Sequence, residues 1–342
     1  MLARVAYAFR QLRAPAGRED RNVRRLLLHT ALFGVVNGGI LTFLPVLLAR
    51  LGASKVVVSL LTALPALLTI FTAPPAGVIV RRWRNLPVAS GRCFYIMRLC
   101  YIPVMALFAL APELAPLPIV IIWGLSAIPA TLGNTGFYDI LAEAVPPRRR
   151  PVVNGVRWAA SGLTTAISVA VFGQLLDILP WPTNYLAVFS TSFLAGLWLI
   201  YVYSHIEVPL REPPPEPARE PLYRRLRELL KPLTCGGSFG LLLLVTFVLR
   251  LGQFLPAGLL SIFWVRNLQA TDAWIGYRAT IESLALTAGY YFWGRVASRR
   301  GYHLVVVAAG LGTGLALILT GLATRDTMGI LFGVALLGGF FE

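Results

Sequence analysis

The chain has 342 residues, of which 57% are apolar and 13% charged, and its formal net charge is +16. Soluble domains carry about a quarter charged residues, so water is excluded as the main solvent. The positive excess does not indicate nucleic acid, because the basic residues sit in short runs between long apolar segments instead of on one face interleaved with aromatics.

In chain order, residues 1–25 form a basic N-terminal segment with seven Arg, at positions 4, 10, 13, 18, 21, 24 and 25. Leu2, Val5, Phe9 and Leu12 recur at helical spacing, which predicts a segment lying on the inner membrane surface. Apolar stretches close to the ~20 residues needed to cross a bilayer follow at 26–49, 55–80, 88–111, 118–144, 152–176, 183–204, 238–265, 272–297 and 303–323. A tenth begins near Thr327 and reaches Glu342 after sixteen residues. The first span is too long and too polar at its far end for a cleavable leader, and is expected to be retained as an anchor.

Arg clusters mark every second loop: Arg81, Arg82 and Arg84; Arg148, Arg149 and Arg150; residues 211–231; Arg295, Arg299 and Arg300. The intervening loops hold Glu113, Asp177, or the Arg50 and Lys55 pair. Basic residues near helix ends stay on the cytoplasmic side, so a multi-pass protein of the cell's inner (plasma) membrane with a cytoplasmic N-terminus is expected. The long polar segment 205–236 contains Pro209, Pro213, Pro214, Pro215, Pro217 and Pro221 and reads as a stiff tether. A short basic amphipathic helix is expected over 219–230, with Leu222, Leu226, Leu229 and Leu230 on one side. The segment separates a six-helix bundle, 26–204, from an incomplete second bundle, 237–342.

An internal repeat relates the two. An offset of 217 residues aligns Leu51-Gly-Ala-Ser54 with Leu268-Gln-Ala-Thr271, Gly77 with Gly294 and Arg82 with Arg299. Ser54 and Thr271 then stand where each caps an even-numbered helix, satisfying amides that lipid cannot. Six helices separate the copies, so both have the same orientation. On the same offset Glu342 corresponds to position 125, and roughly 75 further residues would complete the second repeat, which predicts a truncated chain.

The loop after the second span, Gly77-Val-Ile-Val-Arg81-Arg82-Trp83-Arg84, and its second copy, Gly294-Arg-Val-Ala-Ser298-Arg299-Arg300-Gly301, are degenerate versions of G-x-x-x-D-R-x-G-R-R. Together with the run Val145-Pro-Pro-Arg148-Arg-Arg-Pro-Val-Val-Asn154-Gly155, they resemble the major facilitator superfamily of secondary transporters. The resemblance implies an all-α integral membrane protein of two parallel six-helix repeats, the second incomplete, with about nine to ten transmembrane helices. It also implies alternating access of the bundles to a small solute, coupled to protons or another ion. A transport-inactive sensor or assembly factor on the same fold is the alternative.

Polar residues inside spans are costly in lipid and usually face a cavity or one another. Arg98, Arg250 and Glu282 lie about ten to thirteen residues from a boundary, near mid-membrane. In the resembled family the first, fourth, seventh and tenth helices line the central site, which points to Asn37, Thr131, Asn134, Arg250 and Gln253 as substrate contacts. Arg98 and Glu282 are candidates for coupling, with Glu282 as a counter-ion of Arg250 or a proton carrier. At the cytoplasmic ends, Asp139 and Glu143 share a helix face, level with Arg81, Arg82, Arg92 and Arg157. The resemblance makes this group, with Gly77, Gly294, Arg299 and Gly301, a gating network.

No enzyme, cofactor or metal site is expected. Gly310-Leu-Gly-Thr-Gly314 lies inside a span with no preceding strand, and there is no Gly-Lys-Ser/Thr loop. His29, His205 and His303 are single and read as boundary residues, and Cys93, Cys100 and Cys235 form no C-x-x-C pair. The partners implied are the lipid bilayer and a small solute, not nucleic acid.

Overall fold

The computed structural model describes residues 17–212, 238–254 and 256–342. Of the basic segment expected over residues 1–25, residues 1–16 lie outside the described residues, as do the amphipathic helix at 219–230 and Cys235, while residues 18–25 are the first turns of α1. The rest is helical: α1 Arg18–Arg50, α2 Lys55–Arg81, α3 Leu86–Leu110, α4 Pro116–Ala144, α5 Arg150–Ile178, α6 Thr183–Ser204, α7 from Ser238–Phe254 through Ala257–Ile262 to Phe263–Asn267, α8 Asp272–Arg300, α9 Tyr302–Leu322 and α10 Ile330–Phe341. Among the described residues eight helices are long and apolar enough to cross a membrane. The helix α8 is not among the eight, because Asp272, Arg278, Glu282 and Arg295 interrupt its apolar run.

Lipid tails are as apolar as Leu, so burial alone does not drive these helices together. Small residues do it by letting backbones approach. On α1, Gly34 and Gly38 lie one turn apart against α5. A Cβ added at Gly34 would stand 2.5 Å from the Ser161 carbonyl oxygen, and one at Gly38 2.9 Å from that of Thr165. Thr164 and Thr165 of α5 return hydrogen bonds to the carbonyls of Ala31 and Gly34, at 2.8 and 3.2 Å. Between these contacts and Thr42 the α1 backbone widens into a π-helical segment, Asn37–Leu41, where Ile40 N–H finds the Ser192 hydroxyl of α6 at 3.2 Å.

The first bundle meets the second chiefly along α5 and α8. Gly173 and Gly276 face each other, with a Cβ at Gly173 only 3.1 Å from Gly276 Cα, and Thr280 donates to the Ala166 carbonyl at 3.0 Å. The Gln174 amide donates to the Tyr277 hydroxyl at 2.7 Å. Helices α2 and α7 make a second seam, where Gly258 approaches the Ser59 backbone. The main core, built on Val36, Ile40, Phe43, Tyr101, Phe108, Tyr185 and Phe189, extends across the seam to Ile262, Ala270 and Ile275.

The repeat is visible in the backbone. Ser54 accepts from Val57 N–H at 3.3 Å and Thr271 from Trp274 N–H at 3.1 Å, so both expected caps form. Two residues before each cap, Gly52 and Gln269 are left-handed, with φ of 80° and 53°. They too are 217 positions apart.

Candidate functional site

Two features stand out: a cavity inside the first bundle and a polar brace between the bundles. The cavity, about 490 Å³, is walled by α1, α3, α4, α5 and α6. Arg98 of α3 and Arg157 of α5 both line it and are 4% and 3% exposed. Arg98 lies over the Tyr101 ring, 5.0 Å from its centre, and donates to the Tyr101 hydroxyl. Space for it comes from Gly196 of α6, where an added Cβ would stand 2.7 Å from Arg98 Nε. Arg157 donates to Thr30 at 2.9 Å and Asn154 at 2.8 Å, and lies 4.8 Å from the centre of the Phe137 ring. Phe137 in turn stacks on His29 and Tyr203.

Arg98 Nε and His29 Nδ1 have no hydrogen-bond partner among the described residues. Among the described residues no carboxylate lines the cavity. The acids nearest in sequence on α4, Asp139 and Glu143, are held elsewhere, by Arg211.

The brace lies at the opposite side of the helices from the N-terminus. Arg50, ending α1, donates to Asp272 Oδ1 at 2.8 and 2.9 Å and to the Ala270 carbonyl at 3.0 Å. Arg266, ending α7, donates to the carbonyls of Ala49 and Ala53, the latter at 2.5 Å. Ala53 and Ala270 are repeat equivalents, so each half offers the same carbonyl to an Arg of the other. Tyr185 donates to Asp272 Oδ2 at 3.3 Å, and Asp177 accepts from the amides of Asp272 and Ala273 at 3.0 and 3.1 Å. Asp177 therefore caps α8 from the other bundle, where the helix dipole favours an anion.

On the N-terminal side the described ion pairs stay within the first bundle. Glu207, just past α6, bonds Arg21 at 3.0 Å and Arg25 at 2.8 Å. Hydrogen bonds from Arg21 and then Arg25 hold its carboxyl down to about 2. Asn22 clasps the Glu207 backbone from both directions, at 2.7 and 2.8 Å. Arg211 bonds Asp139 at 3.0 Å and Glu143 at 2.8 Å, while its own amide reaches the Arg84 carbonyl. Partial burial works against the Arg211 charge, yet the two carboxylates outweigh it and hold its pKa above the ordinary value.

Several expectations change here. Asp139 and Glu143 share a face, but the partner is Arg211; Arg81, Arg82 and Arg92 are exposed and Arg157 is turned into the cavity. Glu282 does not pair with Arg250. It is gripped by Arg278 one turn earlier on the same helix, at 3.0 and 3.1 Å, and Arg278 lies over the Trp264 ring. Arg250 is exposed on α7 and donates to Gln253 at 3.2 Å. An i,i+4 pair needs no second helix, which is why it forms in preference. His29 is buried and lines the cavity.

Of the expected substrate contacts, Asn134 lines the cavity, Asn37 sits on Thr165 at 3.5 Å, and Thr131 faces Thr69 at 3.4 Å. Gly77 and Gly294 have open space where a Cβ would go, Arg299 ends α8 exposed, and Gly301 terminates that helix with φ 83°. Arg50, Asp272, Arg266 and Arg211 escaped sequence reasoning.

The comparison with curated proteins found no match. Among solved structures, a bacterial homologue of the human lysosomal transporter Spinster, inward-facing and unoccupied, is similar with a TM-score of 0.62 at 13% identity, over 95% of this chain and 74% of that one. A bacterial homologue of the iron transporter ferroportin, also inward-facing, is similar with a TM-score of 0.60 at 16% identity, over 94% and 80%. At such identities the likeness concerns the fold. The sequence profile described as Major Facilitator Superfamily matches residues 26–240. By that match, the chain belongs to the Major Facilitator Superfamily.

Proposed function

We propose that the chain carries a small solute across a membrane by alternating access of its two bundles, coupled to protons or another ion, without enzymatic chemistry. The N-terminus is assigned to the cytoplasm of a cell's inner (plasma) membrane by the alternation of Arg-rich and Arg-poor loops. With that orientation the Arg50–Asp272 brace closes the outer side.

The brace is the observation that carries the reading. A polar lock across a seam of small residues can open without tearing an apolar interface, and rigid bundles rocking about such a seam expose a site to one side at a time. Glu282 is assigned the coupling proton, with Arg278 as its hydrogen-bond partner. Asn134 faces the solute, and Asn37, Thr131, Arg250 and Gln253 remain candidate contacts in the outward-open form.

Cysteine accessibility tests this. In a cysteine-free background, Asn134→Cys should react with an impermeant thiol reagent from the cytoplasmic side of oriented vesicles. Adding Arg50→Gln with Asp272→Asn should bring reaction from the outer side as well. If breaking the brace leaves outer-side labelling unchanged, the bundles do not exchange access, and a sensor or assembly role takes precedence.

A further inference from the structure

The cavity of the first bundle carries two positive charges and no described negative one. Arg stays protonated in proteins, and an ion removed from water is costly unless paired. Arg98 and Arg157 are both at least 96% buried by exposures of 4% and 3%, and their described partners, Tyr101, Thr30 and Asn154, are all neutral. Neither has an acid three or four positions away on its own helix. The acids of α4 are tied to Arg211. At 1.5 Å per residue, Arg98 lies about 18 Å and Arg157 about 10 Å from the N-terminal-side starts of their helices, so the charges stand at two depths. Between them the wall is aromatic, with Trp123 stacked on Tyr101 and Phe137 on His29.

From this we infer that the cavity binds an organic anion: a carboxylate or phosphate is held by Arg98 and Arg157, and an apolar or aromatic body packs on the rings. Guanidinium forks match both oxyanions bidentately, and the unpartnered Arg98 Nε and His29 Nδ1 supply further polar contacts. The volume of about 490 Å³ suits a small organic molecule. The inference deepens the transport reading by naming its substrate class. Equilibrium binding and exchange of access are separate readouts, so either can fail alone.

The full chain in phosphatidylcholine nanodiscs is titrated with 2,6-naphthalenedicarboxylate, 1-naphthyl phosphate, 2-naphthalenemethanol and 2-naphthylmethylammonium, using calorimetry. At least one anion is expected to bind about tenfold or more tightly than the neutral and cationic compounds. Arg98→Gln and Arg157→Gln should each weaken it by about tenfold or more, whereas Arg148→Gln on the exposed loop should not. Without any Arg variant, the same anion should slow alkylation of Asn134→Cys and the neutral compound should not. Competition by phosphatidylglycerol added to the nanodiscs would identify the anion's source as a lipid headgroup, and lack of competition as a soluble molecule. Anions binding no better than the neutral compound, or an Arg98→Gln, Arg157→Gln double variant binding like the parent, would overturn the inference.

Discussion

Removing the Arg50 guanidinium would strand the Asp272 carboxylate at the seam between the bundles. Asp272 keeps Tyr185, and the Arg50 side chain is itself a third exposed, so Arg50→Gln is expected to destabilise by about 2 kcal/mol, below the 3–5 of a fully buried pair. Asp272→Asn should cost less, and the double variant should recover part of the loss; thermal unfolding in detergent measures all three. Strict additivity would mean the two do not interact. Glu282 supports a second expectation. Glu282→Gln should abolish accumulation of a bound anion against its gradient while sparing exchange, and accumulation at the parent rate would remove the residue from coupling. Both sites show where single-residue legibility stops. Arg98 and Glu282 declared themselves as charges inside apolar runs. Asp272 did not, because its partner is 222 positions away and no periodicity links them.

Among elements, the α5–α8 seam depends on glycine. A Cβ at Gly173 would stand 2.9 Å from the Asp272 carbonyl oxygen, and backbone cannot yield as a side chain can. Gly173→Leu should therefore destabilise by about 1–3 kcal/mol and weaken the brace with it, read as outer-side labelling of Asn134→Cys; unchanged stability and labelling would show that the helices part freely here. The strap after α6 makes a different prediction. With its carboxyl held down to about 2 by Arg21 and Arg25, Glu207 contributes stability that is present above its unfolded value near about 4.3 and is lost as pH falls through the folded one. The protection factors of the amides in residues 205–212, taken against the pH-dependent intrinsic exchange rates, should thus be flat from about pH 8 to 5 and fall both below about pH 4 and in molar salt. Glu207→Gln should lower these protection factors above about pH 4 and converge on the parent as pH falls further. The helices themselves were legible because a bilayer demands about 20 apolar residues each, and the caps at Ser54 and Thr271 because a repeat copies them. The strap was not, since Pro209 and its neighbours suggest a tether until Glu207 and Arg211 find their partners.

At the scale of the whole molecule, orientation is the quantity to measure. Single Cys residues at positions 84, 149 and 225 should be shielded from impermeant reagents in intact cells, and ones at 114 and 179 should react; outside labelling at 149 would invert the assignment. The succession of long apolar helices could be read from span length, because the length of a crossing is a local property of the sequence. The cavity could not. It arises where α1, α3, α4, α5 and α6 fail to close around Arg98 and Arg157, and its sequence trace was a mid-span Arg98 and an Arg157 read as a cytoplasmic-end residue, neither with an acid one turn away. The turn that closes α7 carries a last consequence. Where the first repeat has Gly52, the second places Gln269 in the left-handed region, which costs a side-chain-bearing residue about 1–2 kcal/mol. The adjoining carbonyl, Ala270, is the one Arg50 holds. The brace is thus fastened next to a backbone position that carries a torsional cost of its own. Gln269→Gly should remove that cost and fasten the turn beside the brace more firmly, read as a higher thermal unfolding midpoint in detergent; an unchanged or lower midpoint would show that the torsion costs the chain nothing.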